Sequence, residues 1–115
     1  MMRLKFMKKN NDIFLKHILD SIVLIERYYK EASQKNVLNK QYFVDAIVRR
    51  FEIIGEATKN ISKDFKQKHK NIPWRDMGDM RNFLIHEYFD IDEKEVWKTV
   101  INDLPDLKKQ IRKIL

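Results

Sequence analysis

Apolar residues recur every three or four positions along most of this chain, and that spacing limits the fold more than any other feature. A period near 3.6 places such residues on one face of an α-helix, whereas a half-buried β-strand would need them at alternate positions. The 115 residues include only 2 Gly and 2 Pro, too few for the many turns of a β-rich fold. We therefore predict an all-α protein, an antiparallel helical bundle formed by a single domain over residues 1–115.

Two long helices are predicted in the N-terminal half. The first runs from about Asp12 to Ser33, where Asn11 or Asp12 can cap the first turn. The second runs from Asn39 to Ser62, and Gly55 within it suits a close approach between helices. Their predicted core residues are Phe14, Ile18, Ile22, Ile25, Tyr29, Phe43, Ile47, Phe51, Ile54 and Ile61.

Two further helices are predicted after residue 70. Pro73 ends the preceding helix, because a residue before proline avoids α geometry, and a new helix should run from about Trp74 to Tyr88. The last helix begins at Asp92, which forms a capping-box pattern with Glu95. Its apolar stripe continues past Pro105, so we expect one helix kinked there or two helices in line. This stripe consists of Trp97, Val100, Leu104, Leu107, Ile111 and Ile114.

Several functional classes are disfavoured by composition. Cysteine is absent, so the chain has neither a disulfide framework nor a Cys-ligated zinc site. Lysines interrupt the apolar residues of the basic segment 1–10, which we expect to fray, and no run is long enough for a membrane span. A cytoplasmic location is predicted. Neither a cofactor nor a metal site is expected, since the acids Asp92, Glu93 and Glu95 are explained by the favourable field at a helix N-terminus.

One short segment combines side chains suited to catalysis. Arg81, His86 and Tyr88 place a permanent cation, an imidazole and a phenol within eight residues. Arg81 and Tyr88 share a helical face, whereas His86 lies about 140° from Arg81 around an ideal helix. Arg81 and His86 can act together if the helix unwinds near His86, if the arginine side chain curls round the helix, or if a second subunit completes the site. His17 and His69 lie among surface-type residues, and no catalytic role is expected for them.

The order Arg81-Asn82, three residues, His86, one residue and Tyr88 resembles the signature of the HEPN superfamily in its HepT-like form. An arginine and a histidine at this spacing are common by chance, but further stretches resemble the family in the same order. Asp79 departs from the pattern, which more usually has a small residue there. The resembling stretches are Ile53-Ile54-Gly55-Glu56-Ala57, Ile72-Pro73-Trp74-Arg75, Val96-Trp97 and Asp103-Leu104-Pro105.

The resemblance implies a homodimeric, metal-independent endoribonuclease with its active site in a cleft between two protomers. RNA carries its own nucleophile, the 2′-OH, so the protein needs only proton transfer and charge stabilisation. His86 can act as general base or acid near neutral pH. Arg81 can hold two phosphate oxygens in its fork, and Asn82 can orient the phosphate or the imidazole. These three residues are the predicted catalytic set.

The HepT-like form also implies that the enzyme is the toxin of a toxin–antitoxin system. Tyr88 would then be AMPylated by a cognate nucleotidyltransferase antitoxin, although it could instead stack on a base of the RNA. Two alternatives from other classes are a non-catalytic HEPN scaffold that binds RNA or nucleotides, and a helical subunit that binds a protein partner.

Charge adds a candidate RNA-binding surface. The net charge is +7, which favours polyanions by long-range attraction and counterion release, although lysines also serve solubility alone. Between Lys59 and Arg75 six cations stand against one acid, Asp64. The residues predicted to contact the RNA backbone are Lys63, Lys66, Lys68, Lys70 and Arg75.

Overall fold

The computed structural model describes residues 2–81 and 93–115, with side chains from residue 10 onward. Every regular element in these two ranges is helical, which confirms the predicted all-α fold. No helix within them is both long and apolar enough to cross a membrane. The helices are α1 (Met2–Gln34), α2 (Gln41–Lys59), α3 (Lys63–Lys68), α4 (Trp74–Asp79), α5 (Glu93–Lys98) and α6 (Leu104–Ile114), with a π-helical segment, Thr99–Asp103, between the last two.

The turn between α1 and α2 depends on an asparagine in the left-handed region. Asn36 has φ 55°, a conformation that asparagine tolerates better than most residues. The Val37 N–H then donates to the Ala32 carbonyl at 2.8 Å and the Asn36 N–H to the Ser33 carbonyl at 3.2 Å. These two bonds satisfy carbonyls that the end of α1 would otherwise leave without partners. The chain thereby reverses direction within a few residues.

Asn11, which the sequence predicted as a cap, connects α1 to the residues that follow α2. The cap prediction is wrong because α1 begins at Met2 and already includes Asn11. Its buried side chain accepts the Ser62 N–H at 3.1 Å and donates to Ser62 Oγ at 3.2 Å. Ser62 Oγ also accepts the Phe65 N–H and so caps α3. Because residue 11 of α1 meets the residues just after α2, the two helices are antiparallel.

The predicted apolar stripes form the core. On α1 and α2 the central members of each stripe are fully buried, while Phe14 and Tyr29 are partly buried against them. Ile61 is buried as predicted but lies beyond the end of α2. Within the C-terminal stripe, Trp97 and Ile114 are the partly buried members. The side chains with the least exposed area in these stripes are Ile18, Ile22, Ile25, Ile47, Phe51, Ile54, Leu104 and Ile111.

The helix α2 ends at Lys59 instead of Ser62, for a local reason. Thr58 Oγ1 donates to the Ile54 carbonyl at 2.7 Å, and Asn60 Nδ2 donates to the Glu56 carbonyl at 2.9 Å. The Asn60 N–H turns back to the Ala57 carbonyl at 3.1 Å, which tightens the last turn. Side chains and a tightened turn thus donate to backbone carbonyls that would accept main-chain N–H groups in a longer helix.

The proline in the last helix is accommodated by a π-helical segment. Pro105 has no N–H for the carbonyl four residues earlier, so an α-helix would lose one hydrogen bond there. Immediately before it, the Leu104 N–H reaches the Thr99 carbonyl, five residues back, and Pro105 falls in the first turn of α6. The helical path therefore continues from Glu93 to Ile114, as the apolar stripe predicted, through a π-helical join.

The helix predicted from Trp74 to Tyr88 is shorter within the described residues. It begins at Trp74 as expected, but α4 ends at Asp79 and Met80–Arg81 form a turn. The Met80 N–H bonds to the Met77 carbonyl at 3.2 Å, the tighter pattern common in a last helical turn. The remainder of that prediction, residues 82–88, lies outside the described residues, as does the capping role predicted for Asp92.

Candidate functional site

The structure locates one of the four residues predicted in the catalytic motif. Arg81 lies in the turn directly after α4 and is half-buried. Asn82, His86 and Tyr88 fall in the range 82–92, outside the described residues. The geometry of the site is therefore built outward from Arg81.

The backbone at Arg81 packs directly against Gly55 of α2. A methyl group at residue 55 would lie 2.9 Å from both the backbone nitrogen and Cβ of Arg81, and 3.0 Å from the Gly78 carbonyl oxygen. Real Cβ atoms do not approach other atoms so closely, hence only glycine permits this contact. The close approach predicted for Gly55 is confirmed, and its partner is the end of α4 together with the arginine that follows.

The guanidinium of Arg81 is held by the neighbouring residue on α2. Arg81 Nη1 lies 3.1 Å from Glu56 Oε1, with side-chain exposures of 36% and 51%. An ion pair this exposed contributes only about 0–1 kcal/mol to folding. Its main physical effect is to restrict where the guanidinium points. The donors of the arginine that do not face Glu56 can still bind a phosphate.

A groove of about 290 Å³ between α1 and α2 reaches this ion pair, because Glu56 forms part of its wall. His17 also lines it and packs edge-on against Phe14, with ring centroids 6.2 Å apart. The groove itself does not include Arg81, and two acids stand against one arginine in its lining. Its lining residues are Phe14, His17, Arg49, Glu52, Ile53, Glu56, Ala57 and Asn60.

A second groove, of about 510 Å³, runs between α4 and the π-helical join. Four aspartates contribute to its lining, so its charge opposes the approach of a polyanion. Asp79, the residue that departs from the HEPN pattern, is one of them and is exposed at the end of α4. This groove is therefore a poor candidate for binding nucleic acid. Its four aspartates are Asp76, Asp79, Asp103 and Asp106.

The five residues predicted to contact the RNA backbone are accessible. Lys63, Lys68, Lys70 and Arg75 are exposed, and Lys66 is half-buried. Partial burial lowers the pKa of Lys66, and the neighbouring charge of Lys63 lowers it further. A bound anion would offset both effects, since it favours the charged form of the Lys66 amine. Lys68 pairs with Asp64 at 3.7 Å, but both side chains are highly exposed and the pair is weak.

Each of the two histidines within the described residues packs against a phenylalanine ring. His69 packs on the Phe65 ring with centroids 4.5 Å apart, and its carbonyl accepts the Trp74 Nε1–H at 2.9 Å. These contacts tie α3 to the start of α4. His17 is exposed, and its ring contacts Phe14 within α1. Neither contact links a histidine to Arg81.

Comparison with known proteins identifies the family. A family profile described as "Ribonuclease HepT-like" matches residues 18–114, which includes Arg81, Glu56 and the whole predicted motif. The chain belongs to the HepT-like ribonuclease family. The resemblance inferred from the motif is thereby confirmed, together with the HEPN-like all-α fold expected of it.

Named relatives of this HepT-like chain extend the comparison. It is 44% identical over 108 residues to a protein of Thermococcus cleftensis named "Probable ribonuclease HepT", covering 94% of this chain and 98% of that protein. It is 38% identical over 102 residues to a "Putative RNase" of Caldanaerobacter subterraneus subsp. tengcongensis, covering 89% and 91%.

A third relative is longer than this chain. It is a protein of Methanocaldococcus jannaschii named "Gamma-glutamylcyclotransferase and putative RNase", 43% identical over 109 residues. The match covers 95% of this chain but 49% of that relative, so the chain spans about half its length. No solved structure matches the chain.

Sequence reasoning missed the role of Glu56. The stretch Ile53–Ala57 was singled out only for its family resemblance, and Gly55 only for close packing. The charge of Glu56 beside that glycine was the available signal, because a residue next to a close-contact glycine also lies near whatever packs there. Its partner, Arg81, is 25 residues away in the sequence, so only the tertiary structure could identify it.

Proposed function

We propose that this HepT-like chain is an endoribonuclease that acts as a homodimer, with its active site in a cleft between the protomers. The observation that carries the proposal is the position of Arg81 in a chain of this family. A permanent cation is fixed at its backbone by Gly55 and at its tip by Glu56. The relatives named as ribonucleases support the same reaction class.

The proposed reaction uses the 2′-OH of the substrate as the nucleophile. His86 of one protomer accepts the 2′-OH proton while the 2′ oxygen bonds to the adjacent phosphorus. The bond from phosphorus to the 5′ oxygen breaks, and His86 of the second protomer protonates that oxygen. The products are a 2′,3′-cyclic phosphate and a 5′-OH end. Arg81 neutralises charge on the phosphate oxygens in the transition state, and Asn82 orients the phosphate or the imidazole. No metal ion takes part in this scheme.

Regulation by a second protein is part of the proposal. The chain would be the toxin of a toxin–antitoxin pair in the cytoplasm, and a cognate nucleotidyltransferase antitoxin would AMPylate Tyr88. The adenylate would add a phosphate and a purine seven residues from Arg81 along the motif. An attached anion of this size would compete with RNA for the arginine and also occupy space in the cleft.

The reaction is tested by cleavage of a short RNA with the purified, unmodified protein. We expect cyclic-phosphate and 5′-OH ends, an unchanged rate in millimolar EDTA, and no cut where the nucleotide 5′ to the scissile phosphate is 2′-deoxy. Light scattering on the same sample should give the mass of a dimer at micromolar concentration. Loss of cleavage in EDTA would contradict the metal-independent mechanism. RNA binding without any cleavage would instead favour the scaffold alternative.

The basic surface is tested by its salt dependence. Changing Lys63, Lys66, Lys68 and Lys70 to glutamine should weaken RNA binding and reduce the slope of log K against log salt by about 0.7 for each lost phosphate contact. The measurement is fluorescence anisotropy with a labelled, non-cleavable RNA at several salt concentrations. A control with the same loss of charge changes four exposed lysines elsewhere. If both variants lost the same affinity, net charge alone would explain RNA binding, and the predicted surface would have no specific role. The control residues are Lys16, Lys30, Lys109 and Lys113.

A further inference from the structure

The strongest unassigned feature is the carboxylate beside the proposed catalytic arginine. Glu56 Oε1 lies 3.1 Å from Arg81 Nη1, and Gly55, the residue before it, contacts the Arg81 backbone. Two adjacent residues of one helix thus hold the two ends of a single side chain. We propose that Glu56 is a positioning residue, which aims the Arg81 guanidinium so that its remaining donors meet the scissile phosphate. This proposal rests on the ribonuclease function proposed above.

Stability alone does not account for this ion pair. Both side chains are substantially exposed, at 36% and 51%, and pairs of that kind add little to the free energy of unfolding. Affinity does not account for it either. An acid beside a phosphate-binding cation weakens the attraction for RNA, in a protein whose net charge of +7 otherwise favours that attraction. The remaining effect of the ion pair is to fix the direction in which the Arg81 guanidinium points.

Direction matters for a guanidinium because its donors have a fixed planar arrangement. An arginine presents five N–H groups in a rigid fork, and a two-point contact with phosphate needs that fork in one plane. A carboxylate on one nitrogen restricts the rotation of the fork and leaves the other donors for a phosphate. A free arginine side chain would sample many rotamers, and only a fraction of them would match the transition state.

The same helix contains a matched comparison. Glu52 lies one turn before Glu56 and pairs with Arg49 at 2.8 Å, with side-chain exposures of 29% and 65%. That pair is also a partly exposed contact between a glutamate of α2 and an arginine Nη1, but its arginine is not part of the motif. Removing the Glu52 carboxylate therefore reproduces the loss of a surface ion pair and of one negative charge on α2, without touching Arg81.

The test measures single-turnover cleavage and, separately, binding of a 2′-O-methyl RNA that cannot be cut. Glu56→Gln should lower the cleavage rate about tenfold to a hundredfold, the effect expected of a misplaced catalytic group. Binding should stay equal or become tighter, because one negative charge is lost. Glu56→Asp should recover part of the rate, since a carboxylate returns on a shorter arm. Glu52→Gln should cleave within about twofold of the parent protein, because it loses a charge but no contact with Arg81.

Three results would overturn the proposal. Glu56→Gln could cleave at the parental rate while Arg81→Ala does not; Glu52→Gln could lose as much rate as Glu56→Gln; or binding could fall in step with the rate. The first of these leaves the ribonuclease function intact and removes only the positioning role. Absence of cleavage by the parent protein would instead overturn the proposed function itself. Melting curves by circular dichroism should show all three variants folded, with midpoints near that of the parent.

Discussion

Replacing His86 with alanine should abolish RNA cleavage while the protein stays folded. Each proton transfer by a positioned imidazole contributes roughly 10²–10⁴-fold to a rate, and the proposed dimer loses both transfers at once. Arg81→Ala should be comparably inactive and should also bind non-cleavable RNA more weakly, because it removes a phosphate-binding cation. The measurement is single-turnover cleavage with a labelled RNA, beside growth arrest on expression in a bacterial host.

Two controls make that loss interpretable. Tyr88→Phe should cleave at a rate close to the parent, but the proposed nucleotidyltransferase antitoxin should no longer neutralise it, because the acceptor hydroxyl is gone. His69→Ala removes a described histidine whose contacts are with Phe65, and it should cleave normally. Normal cleavage by His86→Ala, with contaminating nuclease excluded, would contradict the proposed mechanism.

Replacing Gly55 with alanine should both destabilise the protein and reduce cleavage. The new methyl group would meet the Arg81 backbone at 2.9 Å and the Gly78 carbonyl at 3.0 Å, so the end of α4 has to move. Overpacking of this kind costs about 1–3 kcal/mol, against a gain of up to about 1 kcal/mol from better helix propensity. We expect a net loss near 1–2 kcal/mol, measured by urea unfolding. Cleavage should fall further than stability predicts, because Arg81 itself is displaced.

Gly78 supplies the matched control for this prediction. It also lies in a helix, but a methyl group there would meet no atom of residues 2–81 or 93–115 within 4 Å, and its φ is not positive. Gly78→Ala should therefore be neutral or more stable by up to about 1 kcal/mol, with unchanged cleavage. If both alanine variants were equally stable and equally active, the contact between α2 and the Arg81 backbone would have no energetic importance.

Periodicity in the sequence predicted the helices that form the core, because burial on one helical face repeats along the chain. It identified the central stripe residues of α1 and α2, and it predicted that the last helix continues past Pro105. It did not locate the start of α1 or the end of α2. Asn11 was predicted as a cap, yet its actual partner, Ser62, is 51 residues away, and no local pattern encodes that contact. The short helix α3 has no fully buried residue, and therefore no apolar stripe that could have predicted it.

The sequence likewise predicted some residues of the candidate site and missed others. A local motif identified Arg81, Asn82, His86 and Tyr88, since its members lie close together in the sequence. Glu56 was overlooked because its contact with Arg81 forms only when α2 packs against the end of α4. Gly55 was predicted to permit close approach from its residue type alone, whereas its neighbour, Arg81, could be identified only from the tertiary structure.

The contact between Gly55 and Arg81 also bears on how such an enzyme can be switched off. The helix that supplies Gly55 contributes Phe51 and Ile54 to the core, both fully buried. Core packing of this kind generally opens only in a large cooperative unit, so we expect loosening it to cost a free energy close to that of global unfolding. A regulator that worked by loosening the backbone at Arg81 would have to oppose that whole unit. A covalent group added to an accessible side chain faces no such barrier, and modification is the less demanding route to inhibition.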